Sequence, residues 1–302
     1  PIPRGIFTRD IAFLPVFPFL VRAASAATGA SPLATGVVVT FVFGAAAVAG
    51  VWYAARALGG RAVADRTAVL WSLFPGAYVL SLVYAEGLTV VCAAACLVGL
   101  MRRRWVLAGV AAAVGMATQP DAIVLGLCCA WAAVAAVWSR REWSALIAPL
   151  LAPAGAAAYT AWLWVRSGDP AVWVDSERVL WAHGKMGPYW TIVRPLSRLL
   201  HGGSADNTIR VVGLALVVGG LLLLWRSRPP ATFWLWTAGT LVLAFMSAPV
   251  GARPRFLLVA FPMFIAAARK LPPAAVYGIA VVEAGLLGAL TFSTITTLRL
   301  VP

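Results

Sequence analysis

Charge is what this sequence has least of. Only 11% of its 302 residues are Asp, Glu, Lys or Arg, against about 25% in a soluble domain. Acid is the scarcer sign, with 10 carboxylate side chains against 24 basic ones and a net charge of +14. The two histidines, His183 and His201, are too few for a histidine metal cage. Of the four cysteines, Cys92 and Cys96 are one helical turn apart and Cys128 and Cys129 are adjacent. Neither spacing suits a bridge, and all four lie in apolar runs, so core packing is expected of them. There is no Gly-rich phosphate loop, zinc spacing or nucleophilic Ser/His/Asp arrangement. Nothing therefore points to direct use of ATP or a nucleotide sugar, and no metal or cofactor is expected.

What the chain has instead is apolar surface: 62% of its residues are hydrophobic and its mean hydropathy is +0.89. One globular core cannot absorb that excess, so lipid must be the solvent for much of it. The basic residues sit in short clusters between apolar runs, the pattern of cytoplasmic loops, and no nucleic-acid partner is expected. Only Lys185 and Lys270 are lysines, and Ala, Val and Gly abound, as in a GC-rich genome such as that of a high-GC Gram-positive bacterium (an actinobacterium). The chain reads as a single transmembrane domain over 1–302. It opens at Pro1 without a methionine or a signal peptide, so its natural N-terminus is expected upstream.

A span needs about 20 apolar residues. Candidates are 33–58, 144–165, 208–225, 231–249, 254–268 and 273–292. Two longer stretches are interrupted, 67–100 around Pro75 to Glu86 and 105–138 at Thr118-Gln119-Pro120-Asp121, and each reads as two short helices joined by a turn. The expectation is all-α: a polytopic helical bundle of about ten crossings. The apolar run 11–28 is short and contains Pro15, Pro18 and Arg22, which predicts a re-entrant or interfacial helix.

Alternate loops carry Arg56/Arg61/Arg66, Arg102/Arg103/Arg104, Arg140/Arg141, Arg226/Arg228 and Arg269/Lys270. The positive-inside rule places these in the cytoplasm. The outer side then receives Asp10, Glu86, Asp121, Asp169, Asp175, Glu177 and Asp206, including the extracytoplasmic loop 166–207. Asp65 and Glu142 fall inside among arginines, and Glu283 lies within a span, where pairing inside the bundle is expected. Carboxylates in turns at membrane depth are costly and point to function.

The order of motifs resembles the PIG-V-like mannosyltransferases of the GT-C superfamily. Ala12-Phe13-Leu14-Pro15-Val16-Phe17-Pro18 is similar to that family's "AFFPLYP" helix. Leu73-Phe74-Pro75-Gly76-Ala77-Tyr78-Val79-Leu80-Ser81-Leu82-Val83-Tyr84-Ala85-Glu86 resembles "LFPTAFFLSAPYSES", and Ala117-Thr118-Gln119-Pro120-Asp121-Ala122 resembles "LTRPTG". Gly168-Asp169-Pro170 followed by Trp181 looks like an outer-loop "GDP…W" block, and Pro254-Arg255-Phe256 with Phe261-Pro262 looks like "PRY…FP". The family's Asp-Trp-Tyr block, which precedes the "AFFPLYP" helix, has no counterpart here, and Asp10 is the nearest carboxylate. Gln119 stands in place of an Arg, and Ala85 and Gly87 in place of serines.

The resemblance implies a GT-C-like fold and an inverting glycosyltransferase. It would take mannose from a polyprenyl-phosphate-mannose lipid and deliver it to a glycolipid, glycan or protein of the cell envelope, on the extracytoplasmic side of the cell membrane. Such transfer needs a carboxylate to take the acceptor hydroxyl proton, for which Glu86, Asp121 and Asp10 are candidates. It also needs a cation for the departing phosphate, for which Arg255 and Arg253 are candidates. Tyr84, Gln119, Asp169, Trp181, His183 and Lys185 are candidate substrate contacts. Plainer roles compete: a helix cap for Asp121, a turn for Asp169, snorkelling for Arg255. A lipid-linked sugar flippase and a catalytically silent partner subunit are the alternatives at the level of the whole protein.

Overall fold

Helices are the only regular structure among the described residues, which is what lipid demands of a chain without a closed barrel. The structure is a computed structural model that describes residues 11, 13–180, 187–202, 205–246 and 251–297. The elements of the described residues open with α1 (Val16–Thr28), α2 (Pro32–Gly59) and α3 (Arg61–Leu73), followed by a 3₁₀ segment, Pro75–Ser81. Next come α4 (Glu86–Met101), α5 (Trp105–Met116), a short 3₁₀ turn Pro120–Ala122, and α6 (Ile123–Arg140). Then follow α7 (Ile147–Leu151), α8 (Ala154–Ser167), α9 (Val172–Leu180), a π-helical turn Tyr189–Val193 and α10 (Arg194–Leu200). The remainder is α11 (Ala205–Ser227), α12 (Ala231–Met246), α13 (Pro254–Val259), α14 (Pro262–Lys270) and α15 (Pro273–Thr297).

Among the described residues, five helical stretches are long and apolar enough to cross a membrane: Pro32–Gly59, Pro120–Arg140, Trp143–Ser167, Asn207–Ser227 and Pro273–Thr296. A sixth is reached if the Pro75–Ser81 segment and Glu86–Met101, bent by 107°, count as one span. The other apolar runs form shorter helices, such as Trp105–Met116 and Ala231–Met246. Both expected interruptions are present, at 75–86 and 117–122. The helix α1 has 13 residues, about 20 Å of length, too short for a hydrocarbon core of about 30 Å. It lies against α2, and its Val16 N–H donates to the Ala117 carbonyl at the second break.

Small residues set the packing of the first half. Ser31 caps α2, its hydroxyl accepting from the Ala34 N–H at 3.3 Å with Pro32 at the first helical position. The buried face of α2 is Thr35, Gly36, Thr40, Gly44, Ala47, Val51, Ala54 and Ala55. Gly87 of α4 packs so tightly on it that a Cβ there would lie 3.0 Å from the Gly44 nitrogen, the close backbone approach that small residues permit between membrane helices. The buried hydroxyls of Thr40 and Thr67 are satisfied within their own helices, donating to the Gly36 and Val63 carbonyls.

The second half turns on a break between α13 and α14. In a continuous helix the N–H of residue 262 would bond the Leu258 carbonyl, but Pro262 has no N–H. Met263 N–H turns to Ala260 instead, which leaves the Val259 carbonyl without its helical donor as well. Two fully buried tryptophans replace the lost donors: Trp71 Nε1 bonds the Leu258 carbonyl at 2.9 Å, and Trp236 Nε1 bonds the Val259 carbonyl at 3.0 Å. Helices α3 and α12 thus clamp the end of α13. Trp71→Phe keeps most of the packing but orphans a buried carbonyl, and is expected to destabilise by about 1–3 kcal/mol. Thermal unfolding in detergent, with Trp236→Phe alongside, measures this.

All four cysteines are buried free thiols, Cys96 Sγ lying 3.7 Å from Cys129 Sγ, in keeping with core packing. Glu283 differs from expectation. Its Oε2 is buried without a hydrogen-bond partner among the described residues.

Outside the spans, α9 buries Val172 in a small cluster with Ile11, Leu14, Tyr159 and Leu163. Burial pushes the Glu177 carboxyl of α9 from 4.5 up to about 7. The folded form therefore holds this proton more tightly than the unfolded chain does. Stability is fully present below about pH 4.5 and declines as pH rises through 7. Glu177→Gln is expected to flatten that decline, read as thermal midpoints at pH 5 and 8.

Candidate active site

The sharp turn between the Pro75–Ser81 segment and α4 is held by Leu82 and Tyr84 N–H groups, which bond the Val79 and Leu82 carbonyls. It sets Glu86 as the first residue of α4, only 1% exposed. A buried carboxylate there is favoured by the helix dipole but needs a partner. The partner comes from the far half of the chain: Arg255 Nε, on the first turn of α13, lies 2.5 Å from Glu86 Oε1. The Arg255 guanidinium also stacks over the Tyr84 ring at 4.1 Å and near the Phe256 ring at 5.0 Å.

The approach that makes this pair possible is steric. A Cβ on Gly76 would lie 2.2 Å from the Pro254 carbonyl oxygen, so only glycine lets the 3₁₀ segment lie against the start of α13. With the Trp71 and Trp236 clamps, α13 is fixed at both ends and Arg255 is aimed at Glu86.

Asp121 lies in the Pro120–Ala122 turn at the second break. Glu86 and Arg255 both act electrostatically on its carboxylate, as do the N–H groups of Asp121 and Ala122. The charges at the two helix breaks are therefore near enough to act on one another. Asp121 Oδ1 is buried with no hydrogen-bond partner, and so are Glu86 Oε2 and Gln119 Oε1. Three buried acceptors at the two helix breaks thus have no donor among the described residues, where buried polar atoms are ordinarily paired.

The remaining sequence candidates divide. Tyr84 and Gln119 lie at the two breaks. Arg253 is half-buried just before α13 and already partnered. Asp169 is engaged locally: its Oδ1 accepts from the Ala171 N–H at 2.8 Å, and its backbone exchanges hydrogen bonds with Ser167, the turn role that competes with substrate contact. Asp10, Trp181, His183 and Lys185 lie outside the described residues. Two residues went unnoticed in the sequence. Tyr78 feels the charges of Arg255, Glu86 and Arg253, but the 3₁₀ segment has no helical period to reveal which way it faces. Arg210 is 7% exposed inside α11, beside Gly251, and an arginine within an apolar run is itself a signal. Tyr78 also lines a cavity of about 260 Å³ with Phe41, Val48, Ser72, Leu287 and Thr291.

Two solved structures match the fold over 96% of the chain. One is ArnT from Cupriavidus metallidurans bound to undecaprenyl phosphate, with a TM-score of 0.64 at 14% identity. The other is ArnT from the same organism in the apo state, with a TM-score of 0.58 at 17% identity. The fold is the GT-C fold of ArnT. The chain spans 56% of ArnT's length, so the likeness is one of fold over a little more than half of that protein. No family model and no curated protein matches the chain, and the narrower PIG-V-like resemblance gains no support from them.

One end of the ArnT-like bundle gathers the arginine-rich loops. Arg103 pairs with Glu142 at 3.5 Å, Arg102 bonds the Tyr53 hydroxyl, and Arg61 lies 3.9 Å from Asp65. The Glu86 site is at the opposite end of α4, whose 16 residues measure about 24 Å.

Proposed function

We propose that this chain is a membrane glycosyltransferase that takes a sugar from a polyprenyl-phosphate donor and delivers it to a cell-envelope glycolipid, glycan or protein. The observation that carries the reading is the buried Glu86–Arg255 pair together with the buried Asp121 carboxylate, whose Oδ1 has no hydrogen-bond partner among the described residues. ArnT, whose fold this is, is named in complex with undecaprenyl phosphate, and a lipid of that class suits a site at the end of broken membrane helices. The motif order favours mannose as the sugar. The cavity beside Tyr78 is apolar enough to receive part of a prenyl chain.

The two carboxylates take different roles in this reading. Glu86 is tied to Arg255 and positions it. Among the described residues only Nε of Arg255 is engaged, so Nη1 and Nη2 remain for two oxygens of the donor phosphate, the fork geometry that arginine offers. Asp121 Oδ1, buried and without a donor among the described residues, serves as general base. The acceptor oxygen attacks the anomeric carbon, its proton passes to Asp121, and the bond to phosphate breaks with its electron pair leaving on the polyprenyl phosphate. Preformed positive charge at the departing oxygen stabilises that transition state. The test is transfer of radiolabelled mannose from polyprenyl-phosphate-mannose in membrane vesicles, and transfer at background level would end the reading.

The site is assigned to the extracytoplasmic side because the opposite end carries the arginines. Single cysteines at Ala85 and Arg104 in a Cys-free background are expected to react with a membrane-impermeant maleimide from opposite compartments. Labelling of both from the same compartment would overturn the orientation.

A further inference from the structure

The arginine-rich end holds a second feature that the transfer reaction does not use. The loops 102–104 and 140–143 are pinned together by Glu142, which accepts from Trp105 Nε1 at 2.8 Å through Oε1 and pairs with Arg103 at 3.5 Å through Oε2. Both of its oxygens are thereby occupied. The other carboxylate at this end, Asp65, accepts from Trp52 Nε1 at 2.8 Å and lies near Arg61. Arg102 is held by Tyr53, bonded to its hydroxyl and stacked over its ring at 4.7 Å. Arg104, Arg140 and Arg141 remain exposed and form no ion pair with a carboxylate among the described residues. Each lies within two residues of the Arg103–Glu142 contact. Arg103 and Arg141 both adopt left-handed backbone, with φ of 56°, which a non-glycine residue seldom does. The two loops thus turn sharply enough to leave three cations on one small surface.

The position of that surface identifies what would neutralise it. Trp138 is 89% exposed and Trp143 67% exposed, one on each side of Arg140 and Arg141 in the chain. Tryptophan so placed at the end of membrane helices sits at headgroup depth, where the available anion is a lipid phosphate. We propose that the junction of loops 102–104 and 140–143 binds the headgroup of an anionic phospholipid, with Arg104, Arg140 and Arg141 on its phosphate and Trp138 and Trp143 against its glycerol and upper acyl region. Glu142 is a positioning residue that holds the two loops together.

The experiment uses the purified chain in neutral detergent, titrated with phosphatidylglycerol or phosphatidylcholine, with bound lipid counted by native mass spectrometry. The wild type is expected to retain phosphatidylglycerol preferentially. Arg104→Gln/Arg140→Gln/Arg141→Gln is expected to bind it about 100-fold more weakly, each basic residue near an anionic surface contributing ~1 kcal/mol. Arg226→Gln/Arg228→Gln/Lys270→Gln, with the same loss of charge in other loops, is expected to keep the preference. Thermal midpoints in phosphatidylcholine alone verify that both variants are folded. No preference in the wild type, or an equal loss in the two triple variants, would show diffuse electrostatics and overturn the site. Displacement of the lipid by a short single-stranded oligonucleotide at physiological salt would overturn the assignment of the ligand.

Discussion

Asp121→Asn is expected to lower sugar transfer by about 10²–10⁴-fold, the usual contribution of a positioned general base. The substitution keeps the shape and the backbone hydrogen bonds of the Pro120–Ala122 turn, and removes only the capacity to take a proton. The loss should fall on kcat, with KM for the donor little changed, because an acceptor proton is transferred only in the transition state. Radiolabelled transfer in vesicles, with a thermal midpoint as the folding control, reads both quantities. Near-normal transfer by Asp121→Asn would assign the base elsewhere, with Asp10 the next carboxylate to replace.

The second large effect is on stability as well as activity. Arg255→Ala leaves Glu86, 1% exposed, as a carboxylate buried without its partner. Removing one member of such a pair costs about 3–5 kcal/mol, and transfer is expected to disappear along with the donor-phosphate contact. Arg255→Lys should not rescue transfer, since an ammonium cannot hold Glu86 and two phosphate oxygens in one plane. The double variant Glu86→Leu/Arg255→Met separates the two effects. An apolar pair of similar volume is often as stable as a buried ion pair, so unfolding should return toward the wild type while transfer stays absent. A double variant that regained transfer would remove the pair from the mechanism. One that stayed as unstable as Arg255→Ala would mean that the damage lies in packing at Gly76 and Pro254.

Much of the site was legible because membrane-depth carboxylates are rare and announce themselves. Glu86 and Asp121 were both found as acids placed where apolar runs break, and the breaks are where prolines and glycines demand them. The difference in their pairing was not legible. Both look alike in sequence, and only the presence of Arg255 beside one of them separates a tied carboxylate from an open one. Asp169 shows the opposite outcome: its position before Pro170 already fitted a turn, and its oxygen is taken up by the Ala171 N–H. Tyr78 and the 260 Å³ cavity were invisible because a 3₁₀ segment of seven residues has too little periodicity to reveal a face.

The amino-acid sequence alone determined that this chain needs lipid, that it is helical, where its helices break, and which end of the bundle collects arginine. Those properties follow from composition and from local backbone chemistry, each set within a few residues. The tertiary structure decided which residues meet across the bundle: Arg255 with Glu86 over a separation of 169 residues, and Trp71 and Trp236 with the carbonyls that Pro262 leaves open. The reason is that helices apolar on every side carry no stripe to show which face turns inward. Their rotation is set by close contacts at Gly76, Gly87 and their neighbours, and those contacts exist only once the helices have packed.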